Sequence, residues 1–91
     1  MTYDAIAVKL KLSPQDLERE SLRLFLNHRL RLINSRRLEL GRRYGVQTIS
    51  ELDALIQVGR VHETEAFEDY FELDALEAER DAVLESLKDI A

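Results

Sequence analysis

The densest group of side chains that could do chemistry is an acidic run with one histidine, H-E-T-E-A-F-E-D-Y-F-E, at residues 62–72. Carboxylates at helical spacing beside an imidazole are typical ligands of a divalent metal ion. The candidate ligands are His62, Glu63, Glu65, Glu68, Asp69 and Glu72. Di-iron bundles use Glu-x-x-His on two helices, whereas this chain has one such histidine, in the reverse order. We therefore expect an acid-rich helix start without metal or cofactor, and keep a carboxylate-ligated metal-binding protein as an alternative.

The sequence contains no arrangement of residues that is typical of an enzyme. His28 lies within a long helical pattern, and neither a nucleophile nor a carboxylate accompanies it at a useful spacing. A Gly-rich phosphate loop, a nucleophile elbow and a paired-histidine zinc helix are all missing from the sequence. We therefore predict no catalytic residues.

Basic residues are concentrated in the first half of the chain and acidic residues in the second. Residues 1–45 hold ten Lys and Arg against five acids, and residues 46–91 hold three against thirteen. Such a split either neutralises itself when the halves pack together or offers a basic surface to an anionic partner. Pairing within the chain is the preferred interpretation, because it needs no second molecule.

Nucleic-acid binding is the other interpretation of the basic half. Six arginines lie within residues 28–43, and their planar guanidinium groups suit phosphates as well as carboxylates. Arg29, Arg36 and Arg43 recur every seven residues and form an arginine stripe along one side of a helix. Together with Lys9 and Lys11 they are the nucleic-acid-binding residues of this alternative. The net charge of −5 and the lack of interleaved aromatic residues argue against it.

One long helix over residues 14–44 must position most of these side chains. Ser13 is a suitable N-cap, Pro14 suits the first helical position, and Gly45 suits a left-handed C-cap. One side of this helix carries a heptad seam, formed by Leu26, Leu30, Ile33, Arg37, Leu40 and Tyr44. The opposite side carries a second apolar set, formed by Leu17, Leu24, Phe25, Leu32 and Leu38. A helix that is apolar on two sides is covered on both, so we expect a homodimer or a higher homo-oligomer.

Two further helices follow. Residues 50–58 form a short helix with Ser50 as its expected cap, and residues 64–90 form an acidic helix with its own heptad seam. Antiparallel pairing of the two long helices predicts three apolar contacts, Leu26 with Leu87, Leu30 with Val83, and Leu40 with Leu73. The same register predicts two ion pairs, Arg36 with Glu79 and Arg43 with Glu72.

The N-terminal segment, residues 1–12, reads as extended. Apolar and other residues alternate over residues 5–12, which is the period of a half-buried strand. A single strand needs a partner, so this segment either pairs with its equivalent in a second subunit or lies as a tail over the helices.

Composition sets the broad class. The 91 residues are 45% hydrophobic and 34% charged, include no cysteine, and contain neither a membrane-spanning apolar run nor a secretory signal. We expect one cytoplasmic domain of the all-α class. Its architecture is an antiparallel, coiled-coil-like helical hairpin, with a short third helix between the arms and an extended, possibly β, N-terminal segment.

Two stretches resemble known families. V-K-L-K-L-S-P-Q-D-L-E-R-E resembles the opening of ribbon-helix-helix antitoxins, which implies a DNA-reading strand with Ala7, Lys9 and Lys11 outward. Residues 42–77 resemble small all-helical proteins of prokaryotic toxin–antitoxin operons, which implies that the protein binds and masks a toxin.

The predicted function is therefore a protein–protein interaction module, an antitoxin that binds and neutralises a toxin. The expected partner-binding residues are the apolar Leu17, Leu24, Phe25 and Leu32 and the acidic Glu63, Glu65, Glu68 and Asp69. The acids suit a basic toxin surface, because opposite charges speed association.

Overall fold

Four helices make up the structure, a computed structural model that describes residues 3–90. They are α1 (Tyr3–Leu10), α2 (Pro14–Tyr44), α3 (Ile49–Gln57) and α4 (Glu63–Asp89). No strand occurs within residues 3–90, and the predicted all-α class is confirmed. Residues 1 and 2 of the predicted extended segment, and the terminal residue 91, lie outside the described residues.

Local sequence signals determine both ends of α2. The Ser13 hydroxyl accepts a hydrogen bond from the Asp16 amide at 3.0 Å, and Pro14 occupies the first turn, where its missing N–H costs nothing. At the other end Gly45 adopts a left-handed conformation with φ 69°, and its N–H donates to the Gly41 carbonyl. The helix therefore has the predicted bounds.

The two long helices form an antiparallel hairpin. Ion pairs join Arg29 to Glu79, Arg36 to Glu72, and Arg43 to Asp69. The residue numbers of the partners on α4 fall as those on α2 rise, which shows that the two helices run in opposite directions. Near the turn of the hairpin a core cluster forms from Leu40, Val46, Leu52 and Leu73. The predicted contact layer of Leu40 and Leu73 is confirmed. Removal of these side chains from water is the main contribution that holds α3 and the two arms together.

The short helix α3 begins at Ile49 and is capped by Thr48 rather than by Ser50, so the Ser50 prediction was wrong. The Thr48 hydroxyl accepts from the Glu51 amide at 3.1 Å, and the Glu51 carboxylate accepts from the Gln47 amide. Thr48 and Glu51 have the spacing of a capping box, which is the signal that identifies the true start. The helix ends in a turn with Gly59 at φ 77°.

The N-terminal segment is a helix, and its prediction as an extended, β-like stretch was wrong. Residues Tyr3–Leu10 form α1, and α1 packs against α2 with Ala7 fully buried. Lys11 closes α1 in the left-handed region with φ 58°, and Leu12 N–H donates to the Ala7 carbonyl at 2.9 Å. A helix satisfies its own backbone hydrogen bonds, whereas a lone strand would need a partner to do so.

The described chain is a rod. Its dimensions are 60 × 19 × 18 Å and its Cα radius of gyration is 18.8 Å. A compact domain of this length has a radius of gyration of about 12 Å. The long helices therefore lie side by side with little to cover the sides turned away from each other.

Candidate partner-binding surface

The side of α2 turned away from the hairpin exposes large apolar side chains. Leu24 is 71% exposed, Phe25 62% and Leu32 49%, whereas Leu40 on the opposite side is fully buried. Leu24, His28 and Leu32 are each four residues apart, so they form one continuous row along the helix. We call Leu24, Phe25 and Leu32 the outer apolar face. Large contiguous apolar patches are typical of docking sites, so this face is the candidate surface for a partner.

Leu17, the fourth predicted apolar residue, is covered more than the others. It is half-buried near the start of α2, next to Glu18. Helix α1 packs on α2, and this packing brings Tyr3 of α1 near the Glu18 carboxylate. Burial of the Tyr3 hydroxyl raises its pKa, and the Glu18 charge raises that pKa further. α1 thus closes one end of the surface and leaves the outer apolar face open.

The four predicted acidic residues fall into two groups. Glu63, Glu65 and Glu68 are exposed on the first turns of α4, and no cation of residues 3–90 lies within ion-pair distance of them. Asp69 is half-buried, accepts from the Tyr44 hydroxyl at 2.6 Å, and pairs with Arg43 at 3.1 Å. Only the first group is free to attract a basic partner.

The arginine stripe is paired with α4. Arg29 lies 2.5 Å from Glu79, and Arg36 holds Glu72 through two bonds of 2.5 and 2.8 Å. The predicted charge pairs, Arg36 with Glu79 and Arg43 with Glu72, were therefore wrong. Glu72 and Glu79 lie on one side of α4 seven residues apart, and the apolar seam does not determine which of them an arginine reaches.

Hydrogen bonds across the hairpin shift the pKa values of its side chains. The Tyr44 hydroxyl donates a hydrogen bond to the Asp69 carboxylate, and this bond, together with burial, raises the pKa of Tyr44 to about 12. The same Tyr44 bond lowers the pKa of Asp69, with a further contribution from Arg43. Arg36 lowers the pKa of Glu72 by hydrogen bonding to its carboxylate. These acids are therefore held ionised by their partners, as expected of structural ion pairs.

Neither a metal site nor a membrane segment occurs in the described part of the chain. Among residues 3–90, no three His, Asp or Glu side chains are grouped closely enough to hold a metal ion. None of the four helices combines the length and apolar character needed to cross a bilayer. The acidic residues of the run at 62–72 are thus distributed along α4, and two of them, Asp69 and Glu72, form ion pairs with arginines of α2.

Comparison with known proteins places the chain in a family. A family model described as "Uncharacterized protein MJ0235 family" matches residues 1–91. The chain belongs to this family. No curated protein and no solved structure matches it.

One feature of this family member was missed at the sequence level. A groove of about 160 Å³ lies between α3 and α4, lined by Asp53, Ile56, Glu63, Phe67, Tyr70 and Phe71. The Phe67 and Phe71 rings meet edge to face at 4.9 Å, and both are more than half exposed. Their spacing of four residues on α4 indicates an aromatic pair, but only the position of α3 reveals the groove.

Proposed function

We propose that this protein is a protein–protein interaction module and that its partner is a toxin, which it binds and neutralises. The observation that carries the proposal is the outer apolar face. Leu24, Phe25 and Leu32 are exposed on a helix whose other side is already packed against α4. A helix can present such a face to an apolar groove of its partner, and Phe25 and Leu32 have the i, i+7 spacing of anchor residues.

The exposed acids of α4 support the same proposal. Glu63, Glu65 and Glu68 add uncompensated negative charge near one end of the rod, which favours approach by a basic protein. That the partner is a toxin rests on the resemblance of residues 42–77 to antitoxin-like proteins.

The positions of the residues predicted to bind nucleic acid do not favour that function. Each residue of the arginine stripe is paired with a carboxylate of α4, so a phosphate would have to compete for it. Lys9 lies on α1 and Lys11 in the turn after it, so the two do not lie on the predicted strand.

Co-expression with the product of the neighbouring gene tests the proposal. We expect the two proteins to co-purify and the growth defect caused by the toxin alone to disappear. A charge on the outer apolar face cannot be solvated inside a packed interface, so Leu24→Asp and Leu32→Asp should each abolish co-purification. Both positions face water in the isolated chain, and circular dichroism should therefore show an unchanged helix content.

Val58→Asp is the matched control. Val58 is 69% exposed and lies after α3, away from the outer apolar face, so this variant should bind normally. Failure of the wild-type proteins to co-purify would reject the toxin as partner. Normal binding by Leu24→Asp and Leu32→Asp would reject the outer apolar face as the site.

A further inference from the structure

The arginines of α2 differ in their surroundings. Those of the arginine stripe pair with α4, whereas Arg31 and Arg42 are exposed with no carboxylate of residues 3–90 within ion-pair distance. Between them lies Leu38, which is 56% exposed. Arg31, Leu38 and Arg42 are spaced seven and four residues apart, so they line one side of the helix. We call these three residues the basic strip.

Helix α4 carries the complement of the basic strip on its exposed side. Asp74 and Glu85 are exposed, and no cation of the described chain lies within ion-pair distance of either. Ala78 is exposed between them, and the spacing is four and then seven residues. Asp74, Ala78 and Glu85 form the acidic strip. A small residue at its centre lets a second helix approach closely.

The two strips match residue by residue in an antiparallel arrangement. Every residue of a helix advances about 1.5 Å, so equal spacings keep opposing residues at the same level. Arg42 then faces Asp74, Leu38 faces Ala78, and Arg31 faces Glu85. These contacts cannot form within one chain. The sides of α2 and α4 that face each other in the hairpin are those joined by the Arg36–Glu72 ion pair, whereas both strips lie on exposed sides of these helices.

We propose that the occupant of the basic strip is the acidic strip of a second copy of this chain. The Leu38 side chain fills the space above Ala78, and the two ion pairs at either end set the direction and register. Exposed ion pairs contribute little by themselves, so the apolar contact supplies stability and the charges supply specificity. The three residues of the basic strip are not part of the outer apolar face, although Leu24 lies seven residues before Arg31 and so on the same side of α2. The proposal concerns a second copy of the chain and does not rest on a toxin as partner.

The contact is heterologous, because two different surfaces meet. Each copy keeps one free basic strip and one free acidic strip, so association continues to further copies until a ring closes. The average mass should therefore rise with protein concentration instead of stopping at a dimer.

A charge exchange tests the proposal by light scattering after size-exclusion chromatography. The wild-type chain should exceed its monomer mass of 10.6 kDa at high micromolar concentration. Arg42→Glu and Asp74→Arg each place like charges opposite each other and should weaken association at least about tenfold. The double variant Arg42→Glu/Asp74→Arg restores an opposite pair and should recover association.

Arg19→Glu is the control, because Arg19 is exposed on α2 outside the basic strip, and it should associate like the wild type. Three results would overturn the proposal. They are a wild-type chain of 10.6 kDa at all concentrations, single variants that associate normally, and a double variant that stays as weak as the single ones. The first would leave an acidic segment of another protein as the occupant.

Discussion

Gly41 shows how a single residue of α2 is determined by the loop that follows the helix. It is buried, and its carbonyl accepts hydrogen bonds from both Gly45 and Val46. The loop consequently passes so close that a Cβ atom at position 41 would overlap the Val46 carbonyl oxygen. Since this oxygen belongs to the backbone, a rotamer change cannot relieve the overlap.

Gly41→Ala should therefore destabilise the protein, although alanine normally favours a helix over glycine by about 1 kcal/mol. We expect the free energy of unfolding to fall by about 2 kcal/mol, a typical cost of forced backbone movement. Urea denaturation followed by circular dichroism measures it. Ser35→Ala, at an exposed site of the same helix, is the control and should be neutral or slightly stabilising. A Gly41→Ala variant as stable as the wild type would mean that the loop does not contact the helix here.

Single residues differ in how far the sequence predicts them. Ser13 and Gly45 act through their own backbone neighbours, so their capping roles could be predicted directly. The capping role of Thr48 is predictable from its spacing to Glu51, which identifies it over Ser50. Asp69 could not be separated from the other acids, because its partners Arg43 and Tyr44 come from the other arm of the hairpin.

At the scale of the helices, the hairpin is held by ion pairs beside an apolar seam. The pKa values of Glu72 and Asp69 are lowered in the folded state. A carboxyl group with a lowered folded-state pKa binds fewer protons when folded than when unfolded. Its stabilising contribution is therefore fully present above the unfolded-state pKa, which is about 4 for Asp and Glu, and is lost as the pH falls through the lower folded-state value.

Stability should accordingly fall as the pH is lowered from neutral to below about 4. Glu72→Gln removes one of these carboxylates and should cost roughly 0.5–1 kcal/mol at neutral pH, since the pair with Arg36 is partly exposed to solvent. The variant should also lose less stability on acidification than the wild type. Glu68→Gln, an exposed residue without an ion pair in the described chain, is the control. Identical acid sensitivity of Glu72→Gln and the wild type, measured by thermal unfolding, would rule out this role.

The helices also show where prediction from sequence stops. The bounds of α2 and the Leu40–Leu73 layer followed from capping residues and the heptad pattern. The choice between Glu72 and Glu79 as the partner of Arg36 did not, because both lie on the same side of α4 and the heptad pattern does not specify in which direction along the helix an arginine side chain extends. The first segment was misassigned because eight residues are too few to separate a strand period from a helix. Ala7 of this segment is buried where α1 packs against α2, and a local sequence pattern cannot predict such a contact between helices.

At the scale of the whole molecule, the length of α2 determines what remains uncovered. A helix of 31 residues extends about 46 Å, and α4 covers one side of it. No other helix in the described chain is long enough to cover a second side over this length. The outer apolar face and the basic strip both lie on the part of the α2 surface that no other helix covers. The protein-binding and self-association proposals therefore share one architectural premise, the open rod.

Small-angle X-ray scattering tests this premise most directly. The Arg42→Glu variant at low concentration avoids contributions from assemblies. The account predicts an elongated particle with a radius of gyration close to 18.8 Å. A radius of gyration near 12 Å, the value for a compact domain of this length, would mean that the chain folds back over α2 and would contradict the account.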